Sequence, residues 1–134
     1  MRFVDTNVFL RLLTRDHPQK AEACLKMFRK ALEKQEPLFT SDLVMAEIIW
    51  VLEGLYRLKK EEVVNRMEKI LNTPNLHCQN KKLLQECLIL YLEKDIDFID
   101  AYNAVLMKKE KIDVLYTYDE DFKSIPWISS QEPT

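Results

Sequence analysis

Apolar residues recur every three or four positions through much of the chain, a spacing typical of amphipathic helices. It predicts helices over residues 18–35, 60–72 and 81–94, with shorter ones following Asn7 and Asp97. Pro18 suits the first turn of a helix, and Pro37 and Pro74 stand where helices must have ended. The opposite faces of these helices carry charged residues and are interpreted as solvated surface.

One predicted helix lacks a polar face. It follows Ser41 or Asp42, either of which suits an N-cap, runs to about Arg57 and is apolar on nearly every side. Such a helix is typical of a core or of a subunit interface. Glu47 lies in its middle, and a buried carboxylate is costly unless it is paired, protonated or bound to metal. The alternative is that Glu47 faces solvent or meets an arginine.

Short apolar runs between the helices predict strands at residues 2–4, 38–40, 76–78, 114–116 and 126–128. Strands that alternate with helices imply parallel pairing and right-handed crossovers, so the predicted class is α/β. A chain of 134 residues favours one domain over residues 1–134. Residues 129–134 are polar and are expected to form a loose tail.

Composition excludes several classes of protein. The chain has 20 basic and 22 acidic side chains and a formal charge of −2, without the basic excess of a dedicated nucleic-acid binder. Its three cysteines are far apart and favour a reduced, cytoplasmic setting. The first residues do not resemble a signal peptide, and no apolar run is long enough for a membrane span. With Gly54 as the single glycine, glycine-rich phosphate loops and dinucleotide fingerprints are excluded.

Acidic residues follow two of the predicted strands directly. Asp5 follows the first strand, and Asp119 follows the strand 114–116, two residues after Thr117. The carboxyl ends of parallel strands share one edge of a sheet, where open α/β folds bind their ligands. The two acids converge there if their strands are neighbours. Each of them also suits a helix N-cap, so a capping role is the competing interpretation.

Further acids lie where helices begin. Asp97 and Asp100 are spaced as a capping box is, and they equally suit a metal site at a helix N-terminus. Glu47, about one turn into its helix, has room to join them from the side.

Four ionised carboxylates in one cleft repel one another and require cations or shared protons. Hard oxygen donors without histidine or cysteine favour Mg²⁺ or Mn²⁺ over zinc. Such ions polarise a phosphodiester, activate water and stabilise the leaving oxygen, so the chemistry that fits best is phosphodiester hydrolysis.

These motifs resemble those of PIN-domain proteins, in particular the small VapC-type toxins of prokaryotic toxin–antitoxin pairs. The matching segments occur in the family's order and spacing: Val4-Asp5-Thr6-Asn7, the segment 41–48 from Ser41 to Ile48, Asp97-Phe98-Ile99-Asp100-Ala101, and the segment 117–122 from Thr117 to Phe122. Each segment alone is a weak signal, and the four in register are fairly specific.

The resemblance implies a three-layer α/β/α fold with a central parallel sheet and a Mg²⁺- or Mn²⁺-dependent ribonuclease. It also implies an RNA substrate, a small antitoxin partner, a homodimer and a cytoplasmic location. The acidic quartet that binds metal would be Asp5, Glu47, Asp100 and Asp119. Supporting positions would be Thr6, Thr117, Asp97 and Asp121. Asp100 is preferred to Asp97 because Ala101 follows it, and Asp119 to Asp121 because of the preceding Thr117.

Two other functions compete with a metal-dependent endoribonuclease. A non-catalytic PIN-like module that binds RNA or protein is compatible with the even charge balance. A phosphatase of the haloacid-dehalogenase type also places an aspartate after its first strand. That family requires a second aspartate two residues later, where this chain has Asn7.

Overall fold

The computed structural model describes residues 1–134 and divides them into two compact units, residues 1–81 and 82–134. Each unit is α/β in character, and every strand pairing is parallel. The predicted fold class is therefore confirmed. The helices are α1 Thr6–Thr14, α2 Pro18–Glu33, α3 Asp42–Gly54, α4 Lys60–Leu71, α5 Lys81–Lys94 and α6 Phe98–Lys109. The strands are β1 Arg2–Phe3, β2 Leu38–Thr40, β3 Leu76–Cys78, β4 Val114–Tyr116 and β5 Ser129–Gln131.

The first unit is built on a three-stranded sheet in the order β1-β2-β3. Leu38 of β2 lies between Arg2 of β1 and Leu76 of β3, which sets the register. Helices α1 and α2 connect β1 to β2, and α3 and α4 connect β2 to β3, as parallel pairing requires. Helix α1 packs on both α2 and α3, and α3 packs on α4.

The core of the first unit consists of the apolar stripes that the helical spacing predicts. Fully buried members include Phe9, Met45, Ile48, Leu52, Val63 and Met67. Phe9 also packs its ring against Phe28 of α2, with centroids 5.9 Å apart. The burial of these faces, more than helix propensity, holds short helices in place.

The second unit pairs β4 with β5, which are joined by a 3-10 helix over Glu120–Ser124. Its core is formed by α5 and α6, where Tyr91 and Phe98 pack edge to face at 6.0 Å between ring centroids. Trp127 donates a hydrogen bond from Nε1 to the carbonyl of Ala104 at 2.8 Å. Lys108 lies over the Trp127 ring, 4.7 Å from its centroid.

The prediction for the last strand was wrong. Residues 126–128 are not a strand; β5 lies at Ser129–Gln131, inside the segment expected to be a loose tail. The β5 residues are polar and two of the three are exposed, so the strand is held by its backbone ladder to β4 rather than by apolar burial. No periodic signal in the sequence marks such a strand.

Helix α3 is buried on one face only in the single chain, which is compatible with the predicted alternatives of a core helix and a subunit interface. One strip of the helix is exposed, with Leu43 at 81%, Trp50 at 76% and Leu55, just beyond its end, at 74%. Glu47 lies on the same exposed strip. The opposite face is buried as expected, with Met45, Ile48 and Leu52 among its residues. Ser41 caps the helix by accepting a hydrogen bond from the Val44 N–H at 3.2 Å.

Candidate active site

Asp5 occupies the junction between β1 and α1. It is the N-cap of α1, and its carboxylate accepts a hydrogen bond from the Thr6 N–H at 2.8 Å. The Asp5 side chain is exposed, and Thr6 is buried. Asp5 therefore caps helix α1, as the competing interpretation expected. Since an N-cap uses only part of a carboxylate's accepting capacity, the site interpretation is compatible with it.

A buried threonine holds the backbone in front of Asp5. Thr40, at the end of β2, is fully buried and donates a hydrogen bond from Oγ1 to the Val4 carbonyl at 3.0 Å. The Val4 N–H donates to the Phe39 carbonyl at 2.8 Å. The ends of β1 and β2 are thus locked side by side. Sequence reasoning missed Thr40, although a hydroxyl at the inward end of an apolar strand was the available signal.

The carboxyl ends of β2 and β3 are joined by a second buried polar group. Asp42 accepts a hydrogen bond from Asn80 Nδ2 at 2.9 Å, and its N–H donates to Gln79 Oε1 at 3.3 Å. Asp42 is only 8% exposed, whereas Glu47 on the same helix is exposed. The sequence interpretation treated Asp42 only as a possible cap. In the structure it ties the start of α3, and so the helix that carries Glu47, to the loop after β3.

Three carboxylates of the second unit lie together. Asp100, Asp119 and Asp121 each present an oxygen within 4.8 Å of the others. Asp100 comes from the first turn of α6, and the other two flank the start of the 3-10 helix that follows β4. We call these three residues the acid cluster. It unites Asp100 and Asp119 of the predicted quartet with Asp121, which was assigned a supporting position.

The geometry of the acid cluster is set by local hydrogen bonds. Thr117 accepts a hydrogen bond at Oγ1 from the Asp119 N–H at 3.0 Å. Asp119 in turn accepts one at Oδ1 from the Asp121 N–H at 2.9 Å, which caps the 3-10 helix. Thr117 therefore supports Asp119 by the kind of bond that was expected. The tight turn brings the Asp121 carboxylate close to that of Asp119, so a role for one acid in the cluster does not exclude a role for the other.

Asp97 does not form the capping box that its spacing from Asp100 suggests. It is the N-cap residue of α6, but its side chain makes no capping hydrogen bond. Its negative charge is among the causes that raise the pKa of Asp100.

The electrostatics of the acid cluster are centred on Asp100. Partial burial, followed by the charges of Asp119, Asp97 and Asp121, raises the pKa of Asp100 above its ordinary value of 3.8. A carboxyl in such surroundings binds a proton or a cation more readily than an isolated one. The cluster is therefore a place where positive charge is favoured.

The donor set of the acid cluster fits a hard divalent cation. All three donors are carboxylate oxygens, without a histidine or cysteine among them. The three carboxylate oxygens lie within 4.8 Å of one another, so rotation of the exposed side chains would bring them to the ~2.1 Å distance at which Mg²⁺ is bound. Exposed acids leave the remaining coordination positions open to water.

Comparisons with known proteins identify the family of the chain. The model of the PIN domain matches residues 2–128, almost the whole chain. The chain belongs to the PIN-domain family. A VapC ribonuclease from Aquifex aeolicus (strain VF5) is 28% identical over 125 residues, which cover 93% of this chain and 92% of the relative. The crystal structure of Mycobacterium tuberculosis VapC20, a toxin that cleaves the sarcin–ricin loop, aligns over 99% of this chain and 100% of that one, at 19% identity and a TM-score of 0.42.

The predicted quartet is divided between the two compact units. Asp5 and Glu47 lie in residues 1–81, and Asp100 and Asp119 lie in residues 82–134, where they meet. The union of all four at one metal site stays a prediction. No helix combines the length and the apolar character needed to cross a bilayer.

Proposed function

We propose that this PIN-domain protein is a Mg²⁺- or Mn²⁺-dependent endoribonuclease that hydrolyses RNA phosphodiesters. The observation that carries the proposal is the acid cluster, in which three carboxylates lie within 4.8 Å at the carboxyl end of β4 and the start of α6. The similarity to a curated VapC ribonuclease over nearly the full length supports the same activity.

The residues of the proposed site have separable tasks. Asp100, Asp119 and Asp121 would hold the divalent ion. Asp5 and Glu47 remain the two further ligands that the sequence predicts. Thr117 fixes the Asp119 backbone, while Thr6 donates its N–H to Asp5. The ion, when bound, supplies the Lewis acidity that activates water and stabilises the leaving oxygen. Asp97 adds negative charge near Asp100 and so strengthens the attraction for a cation.

Cleavage of single-stranded RNA with Mg²⁺ or Mn²⁺, with and without chelator, tests the activity. We expect cleavage by the parent protein, its loss on chelation, and losses of at least about 100-fold for Asp119→Asn and for Asp5→Asn, since both sites are assigned to the metal. Asp113→Asn, an exposed acid at the start of β4, is the matched control and should cleave as the parent does. Equal cleavage by the parent and Asp119→Asn would refute the proposal.

Metal binding separates the enzyme from the non-catalytic alternative. Calorimetry with Mn²⁺ should show binding by the parent and weaker binding by Asp119→Asn. RNA binding without metal binding or cleavage would instead favour a non-catalytic PIN-like module.

We further propose that the enzyme is the toxin of a toxin–antitoxin pair and acts in the cytoplasm on cellular RNA. The Aquifex relative is named a VapC ribonuclease, and the resemblance to VapC-type toxins supports the assignment as a toxin. Expression of the parent should arrest bacterial growth, and Asp119→Asn should relieve the arrest. A short gene beside this one, encoding a DNA-binding protein that restores growth on co-expression, would identify the antitoxin. Growth arrest that persists in Asp119→Asn would contradict a nuclease toxin.

The exposed strip of α3 supports a homodimer. Leu43, Trp50 and Leu55 are each more than 70% exposed in the single chain, and large exposed apolar patches mark interaction sites. Trp50→Glu should convert a dimer to a monomer in light scattering, whereas Ile89→Glu, an exposed apolar position on α5, serves as the control. A parent protein that is monomeric at high concentration would contradict the dimer.

A further inference from the structure

A small cavity adjoins the acid cluster within the second unit. Its volume is about 170 Å³, and it lies where β4 and β5 end side by side. Asp119 belongs both to the cavity wall and to the acid cluster. Other lining residues include Thr117, Tyr118, Glu120, Lys123, Gln131 and Glu132. Whatever enters the cavity therefore lies next to the proposed reaction centre.

Tyr118 is the aromatic residue among those that line the cavity. The residue is 73% exposed, stacks on no other ring and makes no hydrogen bond within the chain. Its neighbours Thr117 and Asp119 are held by the hydrogen bond between them, so the backbone on both sides of Tyr118 is fixed. A large aromatic side chain held in solvent at a cavity mouth is a ready stacking surface.

The charges of the cavity select against phosphate. Asp119, Glu120 and Glu132 outnumber Lys123, which is already paired with Glu120 at 2.5 Å. A phosphate group would meet net negative charge here. The amino and ring N–H groups of a nucleobase would meet carboxylate and amide acceptors, which hydrogen-bond base edges.

The cavity volume favours one ring system over a whole nucleotide. Pockets that enclose drug-sized ligands have ~300–1,000 Å³, well above the 170 Å³ found here. A single unpaired base of a longer strand is an appropriate occupant. Recognition of single-stranded RNA commonly uses such splayed bases, stacked on aromatic side chains.

We propose that this cavity is a base-binding subsite, in which Tyr118 stacks on an unpaired RNA base next to the phosphate held at the acid cluster. The assignment rests on the proposed ribonuclease function. It adds that one base beside the cleavage point contributes to affinity and to the choice of site.

Binding with Ca²⁺ in place of Mg²⁺ tests the subsite with a cation available to the acid cluster, and it measures affinity rather than cleavage. The full chain is titrated with short single-stranded RNAs containing 2-aminopurine at successive positions, whose fluorescence is quenched on stacking. The variants are Tyr118→Leu, Tyr118→Phe and the control Tyr116→Leu. Tyr116 is 69% exposed and does not line the cavity. We expect Tyr118→Leu to weaken binding by about 5- to 150-fold, the range for loss of one base–aromatic stack, with near-parent binding by the other two.

A double-mutant cycle locates the base. RNAs with a single abasic position are scanned, and one position should weaken binding to the parent but not further to Tyr118→Leu. Additive losses at every position, or equal affinities of Tyr118→Leu and Tyr116→Leu, would overturn the subsite. The absence of any RNA binding by the parent would overturn it as well. Thermal unfolding of each variant ensures that folded proteins are compared.

The two proposals fail in different ways. Metal-dependent cleavage with Tyr118-independent binding refutes the subsite and leaves the ribonuclease in place. Tyr118-dependent binding without cleavage refutes the enzyme and supports a base-reading module.

Discussion

Asp121→Asn removes one charge from the acid cluster while leaving its hydrogen bonds in place. The Asp121 N–H donates to Asp119, and the Asp121 carbonyl accepts from the Ser124 hydroxyl at 2.9 Å. Both bonds use backbone groups that asparagine retains. The substitution therefore changes charge repulsion and little else.

The size of that repulsion follows from the oxygen separations. Two unit charges 4.8 Å apart repel by about 0.9 kcal/mol in bulk water and about 3.5 kcal/mol at an effective dielectric of 20. Asp121 is exposed and is repelled by two other acids. Because solvent screens exposed charges, the summed repulsion is closer to the value for bulk water, about 1 kcal/mol. Without metal, Asp121→Asn should thus raise the free energy of unfolding at neutral pH by about 1 kcal/mol, or Tm by about 3 °C.

The gain should depend on pH with a definite sign. Because the pKa of Asp100 is raised above 3.8, the folded protein binds this proton more tightly than the unfolded chain does. Its charged form therefore disfavours folding above the folded pKa. The penalty disappears as the pH falls through the folded pKa towards 3.8, and the part of the Asp121→Asn advantage that comes from repulsion with Asp100 disappears with it.

Urea unfolding in chelator from pH 7 to pH 4 measures both effects, with Asp113→Asn as the control for a general charge change. Millimolar Mn²⁺ should reverse the order, since the parent cluster then holds the cation more tightly. An Asp121→Asn protein that is no more stable than Asp113→Asn in chelator, or an advantage that grows in acid, would refute the repulsion on which the metal proposal is based.

Three further substitutions test how the site is supported, each by urea unfolding. Thr40→Val should cost about 1–2 kcal/mol, because the Val4 carbonyl loses its buried donor, and Thr40→Ser should cost less; equal losses would contradict the role of the hydrogen bond. Trp127→Phe should cost about 1–2 kcal/mol through the lost bond to Ala104, and a neutral result would contradict that bond's role. Lys111→Gly should gain about 0.5–1 kcal/mol, because Lys111 ends α6 at a φ of 59°, a conformation that favours glycine. Lys109→Gly, at the last residue of α6, should instead lose stability, by up to about 1 kcal/mol, and similar effects of the two glycines would contradict the conformational argument.

The helices were predictable because each buries one periodic stripe. The predicted bounds of α2, α4 and α5 agree with the structure to within about two residues, the usual uncertainty of helix ends. The sequence pattern failed where periodicity carries no information. Strand β5 is polar and depends on pairing with β4, a long-range property. The pattern of α3 is apolar on all sides, so it does not show which strip the single chain leaves exposed.

The acids were predictable as candidates, but their grouping was not. A strand end followed by Thr117 and Asp119 is a local signal, and so is an acid in the first turn of α6. The choice between Asp119 and Asp121 depended on the turn between them, and the 3-10 geometry brings both to Asp100. The sequence also left open whether Glu47 is buried or exposed, because its exposure depends on which elements pack on α3 and not on its neighbours in the sequence.

Asp119 links the separate elements of the proposed site. Its Oδ1 accepts the Asp121 N–H, its carboxylate belongs to the acid cluster, and it also lines the proposed base subsite. Asparagine can keep the capping bond and the cavity wall but not the charge. Asp119→Asn should therefore reduce cleavage at least about 100-fold and weaken metal binding while it leaves stacking on Tyr118 intact. Tyr118→Leu should do the reverse, weakening RNA binding with little effect on the affinity for Mn²⁺. A pair of variants with opposite defects would show that one loop supplies both the reaction centre and the base contact, because its two side chains face different parts of the RNA.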